Sequence, residues 1–195
     1  MNVFAKSIKF LLIMTLICGI LYTGVITVLG QTFFAKQANG SIIEIDGTKY
    51  GSEHMGQYYD SDKHMWGRIM NIDVNTYKNK DGERLMYSAP SNMSPASEEF
   101  RKIVAQRVET IKEANGNEME PVPNELVTGS GSGLDPAISV AAAKYQVERL
   151  AKANDISEET VSRYIDKATK GEFLGIFGQK TVNVLEVNLM IDGIL

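Results

Sequence analysis

Hydrophobic positions are spread very unevenly along the chain. From Phe10 to Ala35 there is no charged residue, while Lys6 and Lys9 precede this run and Lys36 follows it. An α-helix needs roughly 20 apolar residues to cross the hydrocarbon core of a bilayer, so the run is long enough to span. Twelve Leu, Ile, Phe or Val residues fall between Phe10 and Leu29. Together they favour insertion by on the order of 5 kcal/mol, with no buried charge to oppose it. No small-x-small site follows the apolar core, which argues against a removed signal peptide. Ile17 before Cys18 argues against a lipid-modified cysteine. The reading is one retained transmembrane helix over residues 10–34, after a short N-terminal segment, 1–9. Within it Thr15, Gly19, Thr23 and Thr27 recur at i, i+4 and line one face. Small residues at that spacing suit close packing against partner helices, although Gly and Thr are common in membrane helices in any case.

After the helix the pattern shortens. Gln37–Ser41 reads as a polar exit from the membrane. Ile42–Ile45 and Thr48–Tyr50 flank Asp46-Gly47, a strong two-residue hairpin signal. Residues 58–94 read as the least regular part of the chain, with Trp66 as a packing anchor. Ser94-Pro95 predicts a helix start, followed by a face of Phe100, Ile103, Val104, Val108 and Ile111, with Asn115-Gly116 as its end. Ser139 predicts the cap of an alanine-rich helix through Ala153. Ser157 caps another, buried along Val161, Tyr164, Ile165 and Ala168 and closed by Lys170-Gly171. Residues 181–192 mix two periods, so a short strand turning into a terminal helix is expected. The fold class is α+β: one N-terminal membrane helix, then a single mixed hydrophilic domain over residues 35–195.

Charge follows the same division. Residues 1–40 hold three lysines and no acid; the remainder holds 17 basic and 24 acidic residues, a net of −7. An acidic domain argues against nucleic acid as a partner. Lys6 and Lys9 place the N-terminus in the cytoplasm by the positive-inside tendency, and so the main domain outside. The single cysteine, Cys18, excludes an internal disulfide framework.

Candidate chemistry is sparse. Asp60, Asp62, His64 and nearby His54 carry metal-ligating groups, but no spacing guarantees a ligand geometry, and no metal site is assigned. Gly129-Ser130-Gly131-Ser132-Gly133 is the most unusual local composition. Such a loop before a helix can hold phosphate through its N–H groups, yet no Lys-Ser or Lys-Thr follows as in a P-loop. A tight turn docking against another surface is the favoured reading, with Gly131→Val expected to disturb it. No nucleophile elbow, metalloprotease motif or carboxylate pair emerges, and no catalytic residue is assigned.

These residues resemble one family, the C subunit of the Kdp potassium-transporting P-type ATPase. The resemblance rests on Val28–Gln31, Gln37–Ser41, Gly51-Ser52 with Gly56-Gln57, and above all Glu125–Pro136 followed by Ile138-Ser139, Ala141-Ala142, Gln146 and Arg149. Val182–Leu189 and Asp192 close the pattern. Trp66–Met70 and Ala89–Asn92 depart from the family's usual residues. The resemblance implies an accessory subunit in a bacterial inner membrane, beside a channel-like potassium-binding subunit and the P-type ATPase subunit. It implies no intrinsic cofactor. An assembly role is the first reading. The alternative is a catalytic chaperone that raises the ATPase subunit's affinity for ATP, with Gly129–Gly133 and Gln146 sharing the nucleotide. Placed outside the membrane, an acidic domain without a basic cluster at that loop is poorly suited to a triphosphate.

Overall fold

The computed structural model describes residues 2–116 and 119–195. The chain divides into two units, one ending at Ile42 and the other running from Ile43 to Leu195.

The first unit is a single helix, Val3–Phe33, with none of its apolar window buried. A helix that is hydrophobic all round and uncovered needs an apolar surrounding. It begins before the uncharged run, so Lys6 and Lys9 lie on its first turns. Their long stems let such lysines carry their charges to the interface. Thr15–Tyr22 is wound as a π-helix, in which the main-chain bonds close five residues apart. Thr23 Oγ1 donates to the Cys18 carbonyl at 3.1 Å, also five residues back. Thr15 and Gly19 remain neighbours across this widening, since a Cβ on Gly19 would lie 3.8 Å from Thr15 Cγ2. Phe34 leaves the helical region, and a short turn, Ala35–Ala38, follows. Asn39 ends it by donating to the Ala35 carbonyl and to Gln31 Oε1.

The second unit mixes short strands and helices, as an α+β domain. β1 (Ile42–Ile45) and β2 (Thr48–Ser52) form the expected hairpin. Asp46 and Gly47 have φ of 50° and 78°, the left-handed pair that matches strand twist. The stretch read as irregular contains a second hairpin, β3 (Ile72–Lys78) with β4 (Arg84–Ser88), whose register slips between Asp73 and Tyr77. Its turn is built on Asn79, whose Oδ1 accepts from the Asp81 and Glu83 amides.

The long helix runs Glu98–Asn115. Its cap is Ser97, which accepts from the Phe100 amide at 3.2 Å, and not Ser94. Ser94 instead closes a preceding turn, its carbonyl accepting from the Ser97 amide. Glu98 and Glu99 then fall in the first turn, where the helix dipole favours acids. Gly116 ends the helix at φ 67°.

β5 (Ala137–Ser139), β6 (Thr169–Lys170) and β7 (Thr181–Asn183) make an antiparallel sheet with β7 central. Ser139 and Ser157 cap helices as expected. The alanine-rich helix, however, is two pieces, Val140–Lys144 and Val147–Asn154, broken at Tyr145-Gln146. The Ser157 helix stops at Lys167, and Thr169–Lys170 turns into β6. β7 passes directly into the terminal helix Val184–Ile191. Ile111, Leu126, Ile138, Leu150, Ile165, Val182 and Val187 are all buried in one core. Truncating any of them costs about 2–5 kcal/mol for the larger aliphatics.

Candidate functional site

Several residues of the family resemblance, Gly129, Gly133, Gln146, Arg149 and Asn188, meet one irregular segment, Asp62–Asn71. Two fully buried amides grip it from different helices. Gln146, at the break in the alanine-rich helix, accepts from the Trp66 amide at 2.8 Å and donates to the Trp66 carbonyl at 3.0 Å. Asn188, on the terminal helix, accepts from the Met65 amide at 2.7 Å and donates to the Met65 carbonyl at 3.0 Å. Each side chain thus pairs both main-chain groups of one residue, as a neighbouring strand would. Buried peptide groups need such partners, since an orphaned one costs about 1–3 kcal/mol.

Arg149 completes the grip. It stacks on the Trp66 ring with its guanidinium carbon 4.6 Å from the centroid. It donates to the Asp62 and His64 carbonyls, to Asn115 Oδ1 and to Gln146 Oε1. Neutral oxygens satisfy it, and burial pushes its pKa down to about 10, with the charge of Asp62 opposing. Arg107 lies over the same indole at 5.3 Å. Trp66 is therefore a buried packing anchor. His64 pairs with Asp192 at 3.0 Å. His54, Asp60 and Asp62 do not gather around it, and the described residues include no cluster of three metal-ligating groups.

The Gly129–Gly133 loop holds the other end of the segment. Ile69 bridges Gly129 in parallel fashion, Arg68 donates to the Gly129 carbonyl at 2.9 Å, and the Asn71 amide donates to the Gly133 carbonyl at 3.1 Å. Arg68 also meets Asp135 at 3.4 Å. Ser88 Oγ donates to the Ser132 carbonyl, joining the loop to the β3–β4 hairpin. Inside the loop, Ser130 Oγ accepts from the Gly133 amide and Ser132 Oγ from the Leu134 amide. Gly133 is buried at φ 73°, and a Cβ there would meet Ser88 Oγ at 2.6 Å, the Ala89 carbonyl at 2.7 Å and the Asn71 carbonyl at 2.9 Å. Only glycine fits that approach. Gly131 differs: a Cβ there meets nothing within 4 Å, so the expected disturbance belongs to Gly133. The loop leads into β5 and not directly into a helix. No hydrogen bond joins it to Gln146 among the described residues; the two act on successive parts of the same segment.

Asn188 and the 62–71 segment were the members that sequence reasoning passed over as a site. A buried polar residue on an apolar helical face is a detectable signal, since it demands a partner. The partner's identity, more than a hundred positions away, is not.

These features define the class of protein: a single apolar helix long enough to cross a membrane, followed by a small α+β domain braced by buried amides. The family model described as KdpC: K+-transporting ATPase, c chain, matches residues 4–193. Relatives named potassium-transporting ATPase KdpC subunit are similar over essentially their whole length. That of Clostridium perfringens is 59% identical, covering 100% of this chain and 99% of its own. That of Clostridium botulinum (strain Alaska E43 / Type E3) is 56% identical, covering 99% and 96%. That of Paraburkholderia phytofirmans is 40% identical, covering 98% and 96%. The chain belongs to the KdpC family.

Proposed function

We propose that this chain is a non-catalytic subunit of an ATP-driven potassium uptake complex and serves its assembly, beside a channel-like subunit and a P-type ATPase subunit. It is anchored by the Val3–Phe33 helix, with the N-terminus cytoplasmic and the domain outside. The observation that carries this reading is the use of the motif side chains. Gln146, Arg149, Asn188 and the Gly129–Gly133 loop spend their hydrogen bonds on Asp62–Asn71. These bonds brace the domain, and the three buried side chains have little left to offer a ligand. The stripe Thr15, Gly19, Thr23 and Thr27 supplies a close-packing face for partner helices, and Gly19→Leu should reduce co-purification while leaving insertion intact.

The alternative implied by the resemblance, ATP held jointly with the ATPase subunit, would require Gln146 to release Trp66. Gly131→Val separates the two. It has open space and so preserves the fold, but a valine would obstruct a phosphate cradle. The apparent ATP affinity of potassium-stimulated hydrolysis by the intact complex should stay unchanged. A weakening of about two- to thirteenfold, the equivalent of about 0.5–1.5 kcal/mol of lost hydrogen bonding, would overturn the assembly reading. Protease digestion of the domain in intact spheroplasts tests the orientation.

A further inference from the structure

β6 and β7 are joined by a loop, residues 171–180, whose tip is Phe173-Leu174-Gly175-Ile176-Phe177. The Phe173 amide donates to the Phe177 carbonyl at 2.8 Å and the Phe177 amide to the Phe173 carbonyl at 3.0 Å, so the tip is a closed knob. Its four large side chains are 71, 74, 77 and 62% exposed in chain order. Contiguous exposed apolar surface of this kind marks an interaction site, whereas singly scattered residues do not. The foot of the loop is fixed: Lys170 Nζ lies 3.6 Å from Glu53 and 3.7 Å from Glu186. Leu174 adopts φ 55°, a left-handed conformation that is costly for a residue with a Cβ. Leucine there satisfies no need of the local backbone.

We propose that this knob seats in an apolar pocket on a neighbouring subunit of the pump, a docking that rests on the assembly reading above. Charge decides between a protein and a lipid occupant. Surfaces that adhere to bilayers combine apolar side chains with Lys or Arg for anionic headgroups, and with Trp or Tyr at the interface. Residues 171–180 contain one acid, Glu172, and one base, Lys180, which cancel, and no Arg, Trp or Tyr. Lys170 is engaged by two carboxylates. Residues 41–195 carry a net −7, which an anionic membrane repels. A preformed aromatic and aliphatic tip on a fixed foot is the kind of anchor that dominates protein interfaces.

Two measurements on the full chain within the assembled pump test this. A photoreactive benzoylphenylalanine replacing Ile176 should crosslink, in native membranes, to a peptide of a potassium-pump subunit identified by mass spectrometry. Lipid adducts, a crosslink to a second copy of this chain, or no crosslink in membranes that hold assembled pump would overturn the docking. The second measurement uses Leu174→Gly, which suits the left-handed backbone and removes the anchor. It should leave the chain's thermal unfolding unchanged or slightly raised, yet lower co-purification with the other subunits on the order of tenfold. Undiminished co-purification of the variant refutes the docking alone. Failure of the unmodified chain to co-purify refutes the assembly reading and the docking with it.

Discussion

Two glycine-rich loops have opposite fates. Gly129–Gly133 carries serines between its glycines and turns inward, its carbonyls and hydroxyls spent on Arg68, Asn71, Ser88 and its own backbone. Gly171–Gly178 carries Phe, Leu, Ile and Phe between its glycines and leaves them in water. Glycine content is common to both and decides neither. The interposed side chains do: hydroxyls satisfy the groups of a tight turn, and apolar side chains without a core to enter demand an external partner. The first loop thus serves stability, and the second is the one proposed to serve assembly.

The largest effect should come from breaking the segment that the inward loop helps to hold. Gln146→Ala removes the partners of the Trp66 amide and carbonyl and one acceptor of Arg149. Orphaned buried groups at about 1–3 kcal/mol each put the loss on the order of 4 kcal/mol. The Tm of the full chain in detergent should fall by about 10 °C. A change below about 3 °C would mean that the amide is dispensable and free for another role.

Next is Gly133→Val, at about 3 kcal/mol, from a left-handed backbone and an overpacked contact with Ser88, Ala89 and Asn71. Gly131→Val, two residues away, should stay within about 0.5 kcal/mol. Equal effects from the pair, read by thermal unfolding, would dissolve the distinction between the loop's docked and open glycines.

How much of this was legible in the sequence depended on the range of each signal. Asp46-Gly47, Ser139, Ser157, Asn115-Gly116 and the strand turning to helix after Thr181 act through neighbouring residues, and each stands as read. The helix read from Ser94 starts instead at Ser97, which is followed by two acids in the first turn. The alternation Ile72, Val74, Thr76 was present within a polar stretch, but β3 forms only with β4 as its partner. The break at Gln146 had no local cause at all, since it aims an amide at Trp66, 80 positions back. The site was visible as a list of motif residues. Their common target lay in the stretch that the motifs do not cover.

A smaller effect concerns the hairpin on which the inward loop docks. The Asp73 carboxylate accepts from the Asn75 and Thr76 amides and from the Thr76 hydroxyl, chiefly the last, which holds its pKa below the ordinary carboxylate value. A depressed folded pKa contributes stability that is present above the unfolded value, about 3.9, and is lost as pH falls through the folded one. Amide exchange in residues 72–88 should therefore quicken, after correction for intrinsic rates, only below about pH 4. Asp73→Asn should blunt that response. Loosening that sets in between pH 7 and 5 would point to a different group.

The smallest effect on stability should come from the outward loop, and its smallness is the test. Ile176 is 77% exposed, so its side chain is in water in both the folded and the unfolded chain. Replacing it with Ser removes almost no burial and should change thermal unfolding by less than about 0.5 kcal/mol, as for surface substitutions generally. Its apolar surface should still show in solution: the isolated chain in detergent should self-associate less when Ile176→Ser is combined with Phe173→Ser. A loss above about 1 kcal/mol for Ile176→Ser would mean that the tip packs within its own domain. Both glycine loops would then be stability elements, and the contrast between an inward and an outward loop would fail.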